Sequence, residues 1–312
     1  MIDNDIKSSI ELMNTRQPNY YNLKCIGLSS KMDIVILTDS CTIYNKPLNI
    51  AQTIYINTKP SLHDLIIKFI NDILPLISHP INLIIAGEDY TFPNNIDKRF
   101  PRGKFPKDKL KILLNNKYVN KIFVENLDSY LPKTYPIPLG INPEESSTML
   151  SYFEKYRNIN KNKPLKFTNF NRIRTGSGQW EERGFVMNLC QNNWKDYYVE
   201  TSHLPHNEYL TIMSENLFTI CVHGGGLDVN PKLFESLLIG VIPIIKKNEP
   251  YTDIYLDWPV VIINDWDNDT ITNENLLKWK NKYYKFFEDN NYYDKIIQYL
   301  SLDYYVKYVS TL

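Results

Sequence analysis

A run of three glycines lies between a predicted strand and a predicted helix, and this combination can bind an anion. Gly224, Gly225 and Gly226 follow His223 and the apolar run 217–222. Their amides can approach an anion because glycine has no Cβ atom, and the unpaired amides and dipole of a helix start favour negative charge. A diphosphate is the ligand that fits this arrangement. The alternative is a flexible turn, since the loop is neither a G-x-G-x-x-G nor a P-loop.

The helix predicted after this loop carries a carboxylate that could bind a sugar. Asn230 is predicted as its N-cap and Pro231 as its first residue. Glu235 lies one turn further along, roughly opposite the apolar stripe of the helix. A carboxylate there can accept hydrogen bonds from two vicinal hydroxyls, as acidic residues do for ribose. The alternative is a solvated glutamate with no ligand.

The order of apolar runs and amphipathic segments predicts an α/β protein with two doubly wound parallel sheets. In the first half, strands are predicted at 32–38, 53–57, 82–86, 121–124 and 135–139, with helices at 61–74 and 108–114. In the second half, strands are predicted at 165–170, 197–199, 217–222, 241–245 and 259–263, with helices at 181–191, 206–214, 231–238, 272–287 and 291–312. Pro243 lies inside one of these strands and argues against a central position in the sheet.

The run from His223 to Lys247, HGGGLDVNPKLFESLLIGVIPIIKK, resembles the donor-binding segment of exostosin-like glycosyltransferases. The resemblance implies a GT-B-like architecture, in which two Rossmann-like domains face each other across a cleft. It implies an N-terminal, acceptor-side domain at 1–142 and a nucleotide-sugar (donor) binding domain at 143–290. The segment 291–312 would be a C-terminal helix that crosses back to the first domain.

The same resemblance implies roles for individual residues. Glu235 would hold the donor ribose, while His223 and the amides of 224–226 would meet the diphosphate or the sugar. Many relatives carry an arginine within the glycine run and a basic residue near the helix start, and Lys232 is the candidate for that charge here. Arg183 matches the arginine that the family pattern places on the helix after the first strand of this domain.

Two arginines that precede Arg183 could also bind a diphosphate, because a guanidinium pairs with phosphate oxygens through parallel hydrogen bonds. They are Arg172 and Arg174, for which a solvated loop is an equal alternative. His203 lies in the region where donor sites of this type receive the nucleobase, although a surface or core histidine is the more common role.

Carboxylates that follow predicted strands of the first half could act as the catalytic base. Ligands of doubly wound sheets bind beyond the carboxyl ends of the strands, and an acceptor hydroxyl must lose its proton during transfer. The adjacent pair Glu88 and Asp89 is preferred, because two neighbouring carboxylates can raise each other's pKa. Asp39 is the second choice, and Glu125 occupies a similar position. The alternative for each is a solvated or helix-capping side chain.

The run 265–269, DWDND, contains a D-x-D, which in another transferase fold binds a metal and the donor phosphates. A chain that binds the donor through a glycine loop rarely needs a D-x-D metal site as well, so we expect a metal-independent enzyme. No His/Cys ligand cluster and no G-x-S-x-G motif occur in the sequence.

Composition argues against several other classes of protein. Lys plus Arg and Asp plus Glu both number 35, so neither a nucleic-acid partner nor a polybasic membrane surface is indicated. The four cysteines form no C-x-x-C, and reduced thiols are expected. There is no signal-peptide pattern and no run of about 18 apolar residues, so we expect a soluble, cytoplasmic protein. Asparagine is abundant throughout, and asparagine-rich patches are therefore not taken as signs of function.

Together with the resemblance, these observations predict a glycosyltransferase that moves a sugar from a UDP- or GDP-sugar to a hydroxyl group of a glycan or protein. We expect no tightly bound cofactor and no membrane span, and the resemblance implies inversion at the anomeric carbon. Three alternatives stay open. They are a metal-dependent transferase that uses Asp265–Asp269, a nucleotide-sugar epimerase, and a non-catalytic nucleotide-sugar binding module.

Overall fold

The computed structural model divides into two compact units. It describes residues 28–59, 63–96, 103–138, 140, 152–173, 181–201, 204–227 and 229–311. The first unit comprises the described residues within Met1–Ile96, Phe100–Glu144 and Ser301–Leu312, and the second comprises those within Glu145–Leu300. Each unit is built on one sheet, which confirms the predicted α/β class with two mainly parallel sheets.

The first unit contains a six-stranded sheet. Its strands are β1 (Ile34–Thr38), β2 (Cys41–Tyr44), β3 (Thr53–Asn57), β4 (Ile81–Ala86), β5 (Val119–Val124) and β6 (Thr134–Pro136). Their order across the sheet is β2-β1-β3-β4-β5-β6. All neighbouring strands are parallel except β1 and β2, which form an antiparallel hairpin.

Alternate residues of these strands pack into two separate layers, as the two-residue period of a strand requires. On one face, residues such as Ile54 and Leu83 cluster with the connecting helices. Those helices are α1 (Asp64–Lys68), which continues through Phe69–Ile73 and Leu74–Leu76, and α2 (Lys107–Asn115). On the other face, Tyr55 clusters with Tyr305 and Val309 of the C-terminal helix. Residues near the end of the chain therefore complete the core of the first unit.

The second unit contains a five-stranded sheet in which all neighbouring strands are parallel. Its strands are β7 (Phe167–Thr168), β8 (Tyr198–Val199), β9 (Phe218–Ile220), β10 (Ile242–Lys246) and β11 (Val261–Ile263). The helices that follow α2 are α3 (Glu181–Gln191), α4 (His206–Ser214), α5 (Lys232–Leu238), α6 (Asn273–Tyr283), α7 (Lys285–Glu288), α8 (Asn290–Tyr299) and, in the first unit, α9 (Leu302–Ser310). The bounds of α3 and α4 are those predicted from the sequence.

The strand order of the second sheet, β11-β10-β9-β7-β8, reverses direction between β7 and β9. From β7 the chain steps to β8 on one side, and it then places β9, β10 and β11 on the other side. Open α/β sheets bind ligands at such a switch point, beyond the carboxyl ends of the two strands that flank it. The loops 169–173 and 221–231 follow those two strands and therefore define the candidate site.

Pro243 occupies an interior strand, contrary to the expectation that it would exclude a central position. Ile242 N donates to Leu217 O, and Ile244 O accepts from Cys221 N, both at 2.9 Å. In a parallel sheet alternate residues bond to the same neighbour, so the nitrogen of Pro243 faces β11. Pairing with β11 begins only at Ile244. The missing N–H of the proline therefore removes no ladder bond.

Other differences from the sequence prediction concern short or broken elements. The hairpin strand Cys41–Tyr44 was not predicted, because a half-exposed edge strand lacks a clear apolar pattern. The predicted helix 291–312 is interrupted near Ser301, whose Oγ accepts from Tyr304 N and starts α9. The predicted helix start at Ser61 lies outside the described residues. Within the part of the chain that the structure describes, no helix has the length and apolarity to cross a membrane.

Candidate functional site

The three glycines lie in the loop after β9, and their backbone amides are hydrogen-bond donors without a partner among the described residues. Gly224, Gly225 and Gly226 are all buried. None of their three backbone amides donates a hydrogen bond to any described residue. Buried backbone N–H groups are almost always paired with protein, water or ligand. Three consecutive amides at a switch point are therefore available to the acceptor atoms of a ligand.

A buried asparagine network supports this loop. Asn230 has a left-handed backbone with φ 63°, and its Nδ2 donates to Val222 O at 2.8 Å and to Asn171 Oδ1 at 3.2 Å. Asn171 Nδ2 in turn donates to Ile220 O at 2.9 Å. Asn230 Oδ1 accepts from Lys232 N at 3.0 Å. The network ties the loop after β7 to the loop after β9 and to the start of α5.

The helix start lies one residue later than predicted. Pro231 is the capping residue and α5 begins at Lys232. The side chain of Asn230 still accepts a hydrogen bond from the first amide of the helix, that of Lys232, but Asn230 itself lies in the turn before the capping residue. Because α5 has only seven residues, the loop amides and side chains described here matter more for binding than the dipole of this helix.

Arg183 bridges the two loops of the switch point. Its side chain is buried, Nε donates to His223 O at 3.1 Å, and Nη1 donates to Arg172 O at 3.0 Å. The guanidinium therefore holds two loop carbonyls together at the site. Sequence analysis predicted Arg183 as a diphosphate ligand, and the structure places it where it contributes positive charge and also positions the loops. Arg172 is exposed, and Arg174 and His203 lie outside the described residues.

Lys232 is a basic side chain that has no anionic partner among the described residues. No carboxylate of the described residues lies within salt-bridge distance of its amine. Burial, together with the neighbouring Arg183 guanidinium, lowers the pKa of Lys232 to about 8. A lysine that pays this desolvation cost beside a second cation indicates an anionic ligand.

Glu235 lies one turn beyond Lys232 and bonds to a histidine that sequence analysis did not select. Glu235 Oε1 is 3.2 Å from His206 Nε2, and Nδ1 of His206 is 3.3 Å from the hydroxyl of Tyr152. Burial raises the pKa of Tyr152 to about 12, so this hydroxyl remains a donor. Among the described residues, Glu235 Oε2 is buried and has no hydrogen-bond partner. That oxygen can accept a hydrogen bond from a ligand hydroxyl.

A chain of alternating charges borders the other side of the glycine loop. Glu182 Oε2 lies 2.6 Å from His223 Nε2, and Glu182 Oε1 lies 2.6 Å from Lys246 Nζ. Lys246 Nζ also lies 3.0 Å from Asp265 Oδ1. Glu182 was missed from the sequence, although its place beside Arg183 in the first turn of a predicted helix was a usable signal.

The D-x-D run is engaged in protein contacts. Asp265 pairs with Lys246, and Asp267 Oδ1 accepts from Asp269 N and from Thr270 Oγ1, both at 2.9 Å. These residues border a cavity of about 320 Å³ at the end of the edge strand β11. Within the described residues, no group of three His, Cys, Asp or Glu side chains is placed to hold a metal ion.

The carboxylates predicted as catalytic bases follow the ends of β1 and β4 in the first unit. Asp39 is exposed in the hairpin turn, and its backbone oxygen accepts from Lys68 Nζ. Glu88 and Asp89 are half-buried, and Glu88 Oε1 accepts from Asp89 N at 2.9 Å. Glu125, after β5, is buried and accepts from the amide of Gly87 at 2.7 Å, which indicates a structural role for that carboxylate.

Comparisons by sequence find no protein-family model and no curated protein that matches this chain. Comparisons of structure find Anabaena HepE in complex with UDP, at 11% identity, 83% of this chain, 76% of that chain and a TM-score of 0.37. They also find an α1,3-fucosyltransferase, at 10% identity, with 85% of this chain and 78% of that chain covered and a TM-score of 0.39. A third is an α-glucosyltransferase in complex with UDP-glucose and DNA containing an abasic site. It is 12% identical, with 85% of this chain and 78% of that chain covered and a TM-score of 0.32. With identities of 12% or less and TM-scores below 0.5, these likenesses do not show a family for this chain.

Proposed function

We propose that this chain is a GT-B-like glycosyltransferase of exostosin type, which binds a UDP- or GDP-sugar in the second unit and transfers the sugar to a hydroxyl of a glycan or protein. The observation that carries the proposal is that the backbone amides of three consecutive buried glycines, Gly224, Gly225 and Gly226, donate to no described residue. Phosphate oxygens are the acceptors that best fit consecutive amides in a glycine loop.

The charges around the loop fit a diphosphate. Lys232 and Arg183 place two positive groups beside the amides, and the described residues supply no carboxylate to Lys232. A diphosphate would satisfy the amides and offset the repulsion between the two cations. In the transfer step, the same groups would stabilise the negative charge that develops on the leaving nucleotide diphosphate.

The carboxylate of Glu235 fits the ribose of the donor. Its Oε2 is buried without a hydrogen-bond partner among the described residues, while His206 fixes the other oxygen. A carboxylate can accept hydrogen bonds from the two vicinal hydroxyls of a ribose. Asp89, Glu88 and Asp39 are the candidates for the base that takes the proton of the acceptor hydroxyl. We propose an inverting and metal-independent transfer.

Nucleotide binding is the first test of this function. Thermal unfolding would be followed with UDP, UMP, GDP, GMP and uridine at equal concentrations. A ligand at 100 times its Kd adds about 2.7 kcal/mol of stability, so one diphosphate should raise the Tm clearly more than its monophosphate and nucleoside counterparts. Equal shifts for UDP, UMP and uridine, or none with any of these ligands, would contradict the proposal.

Transfer itself is tested with a panel of nucleotide sugars and candidate acceptors. A sugar-bearing acceptor and free nucleotide diphosphate should form together, in equal amounts, with or without a chelator. Conversion of the donor sugar without any acceptor would identify an epimerase. Activity lost on chelation would favour the metal-dependent alternative at Asp265–Asp269, and an intact donor in every assay would favour a binding module.

Nucleotide binding should weaken as the pH rises above about 8. An anion binds the protonated form of Lys232, whose pKa of about 8 lies below that of an ordinary lysine. Each pH unit above this value should cost up to about tenfold in affinity for UDP. The phosphate groups are fully ionised throughout this range, because their last pKa is about 6. Isothermal titration between pH 7 and pH 9 measures the effect, and a flat profile would remove Lys232 from the site.

A further inference from the structure

The carboxylate of Glu182 lies between two basic side chains at the edge of the glycine loop. His223 Nε2 and Lys246 Nζ each approach a different carboxylate oxygen of Glu182 to 2.6 Å. The side chains of Glu182, His223 and Lys246 are 17%, 21% and 27% exposed, so solvent screens these contacts less than it would on an open surface. His223 directly precedes Gly224 in the chain. A positive charge on its ring would therefore attract an anion bound at the loop amides.

The surroundings of His223 favour its doubly protonated form. Nε2 faces the Glu182 carboxylate, and Nδ1 lies 3.3 Å from the carbonyl oxygen of Gly224. The contact at Nε2 is an ion pair and not an aligned hydrogen bond, but a carboxylate beside one ring nitrogen and a carbonyl oxygen beside the other both favour a positively charged ring. Arg183, which donates to His223 O, and Lys246 are positive and oppose this charge. The direct contact with Glu182 is the interaction that offsets them.

We propose that Glu182 is a positioning residue that holds His223 as an imidazolium beside the glycine loop and so adds a third positive charge to the diphosphate site. The inference rests on the proposed function for its consequence, but the protonation of His223 is a property of the free protein. Lys246 fixes the second oxygen of Glu182 and is itself held by Asp265 at 3.0 Å. Burial acts to raise the pKa of the Glu182 carboxyl, but the contacts with His223 and Lys246 outweigh it and lower that pKa below its usual value.

A histidine titration in the free protein tests the inference without any nucleotide. The chain has five histidines, and the signal of His223 is assigned from its loss in His223→Gln. In the wild type, His223 should titrate above the ordinary value of about 6.5. In Glu182→Gln its pKa should fall by about one to three units, because an opposite charge in contact is lost. Glu181→Gln, which changes an exposed neighbour on the same helix, is the matched control and should leave the pKa of His223 unchanged.

A second variant changes the same pKa in the opposite direction. Lys246→Met removes a nearby positive charge and leaves the Glu182–His223 contact, so the pKa of His223 should rise. If Glu182→Gln does not fold, the rise in the pKa of His223 in Lys246→Met alone tests whether His223 is held as an imidazolium. A His223 that titrates near 6.5 in the wild type and does not respond to Lys246→Met overturns the inference.

The consequence for ligand binding is measured separately. In Glu182→Gln, the affinity for UDP should begin to fall at a pH about one to three units lower than in the wild type. A complete absence of UDP binding in the wild type would contradict the proposed function, while the histidine titration would still decide the protonation of His223. UDP binding with the same pH profile in both proteins would overturn the inference and leave the proposed function intact.

Discussion

Replacing Lys232 with methionine should weaken UDP binding by roughly 10–150-fold while leaving the free protein at least as stable as the wild type. The loss follows from one charge-assisted hydrogen bond, which contributes about 1.5–3 kcal/mol. The expected stability follows from the position of Lys232, which is half-buried, since burial lowers its pKa to about 8 and so disfavours the charged amine in the free protein. Methionine keeps the length of the side chain and removes the buried charge.

Weaker UDP binding together with unchanged or higher stability distinguishes a ligand-binding lysine from a structural one. Isothermal titration with UDP and urea unfolding without ligand measure the two quantities, at pH 7 and again at pH 9. Lys195→Met is the control, because Lys195 is exposed and forms no ion pair with a described residue. It should change neither the affinity for UDP nor the free energy of unfolding. The difference between Lys232→Met and the wild type should shrink at pH 9, because the wild-type amine is then mostly neutral. Lower stability with unchanged UDP affinity would assign Lys232 a structural role.

The candidate site lies in a stretch whose structure is predictable because its sequence signals are local. A short β-branched run, three glycines, an asparagine and proline pair and an amphipathic segment are contiguous, so the strand, loop and helix were predicted within a few residues. The same holds for α3 and α4, whose bounds were predicted correctly. Arg183, His223 and Lys232 lie together at the switch point because the parallel order of β7 and β9 places their loops side by side.

The partners of these residues could not be read from the sequence, because they come from distant elements. His206 is 29 residues from Glu235, and only the fold brings their side chains to 3.2 Å. Glu182 and Lys246 are 64 residues apart and meet only in the folded sheet. Composition also concealed the asparagine network. In a chain rich in asparagine, nothing in the sequence distinguishes Asn171 and Asn230 from their solvated counterparts.

Replacing Asn230 with alanine should destabilise the protein by about 3–8 kcal/mol and abolish measurable UDP binding. Two effects contribute. Alanine in the left-handed conformation, φ 63° here, costs about 1–2 kcal/mol. The substitution also leaves Val222 O and Asn171 Oδ1 without the Asn230 amide that donates to both, at about 1–3 kcal/mol for each unsatisfied buried group. The glycine amides lose their support, so the preorganised site is lost with the network.

Asn230→Gly distinguishes the backbone contribution from the hydrogen bonds. Glycine adopts the left-handed conformation without strain, so this variant should be more stable than Asn230→Ala by about 1–2 kcal/mol yet remain less stable than the wild type. It should also bind UDP more weakly than the wild type, because the loop after β9 is no longer tied to Asn171. Urea unfolding and isothermal titration of both variants measure these differences. Equal stability of the two variants would show that the backbone of residue 230 carries no strain, and wild-type UDP affinity in Asn230→Gly would show that the asparagine network does not position the ligand-binding amides.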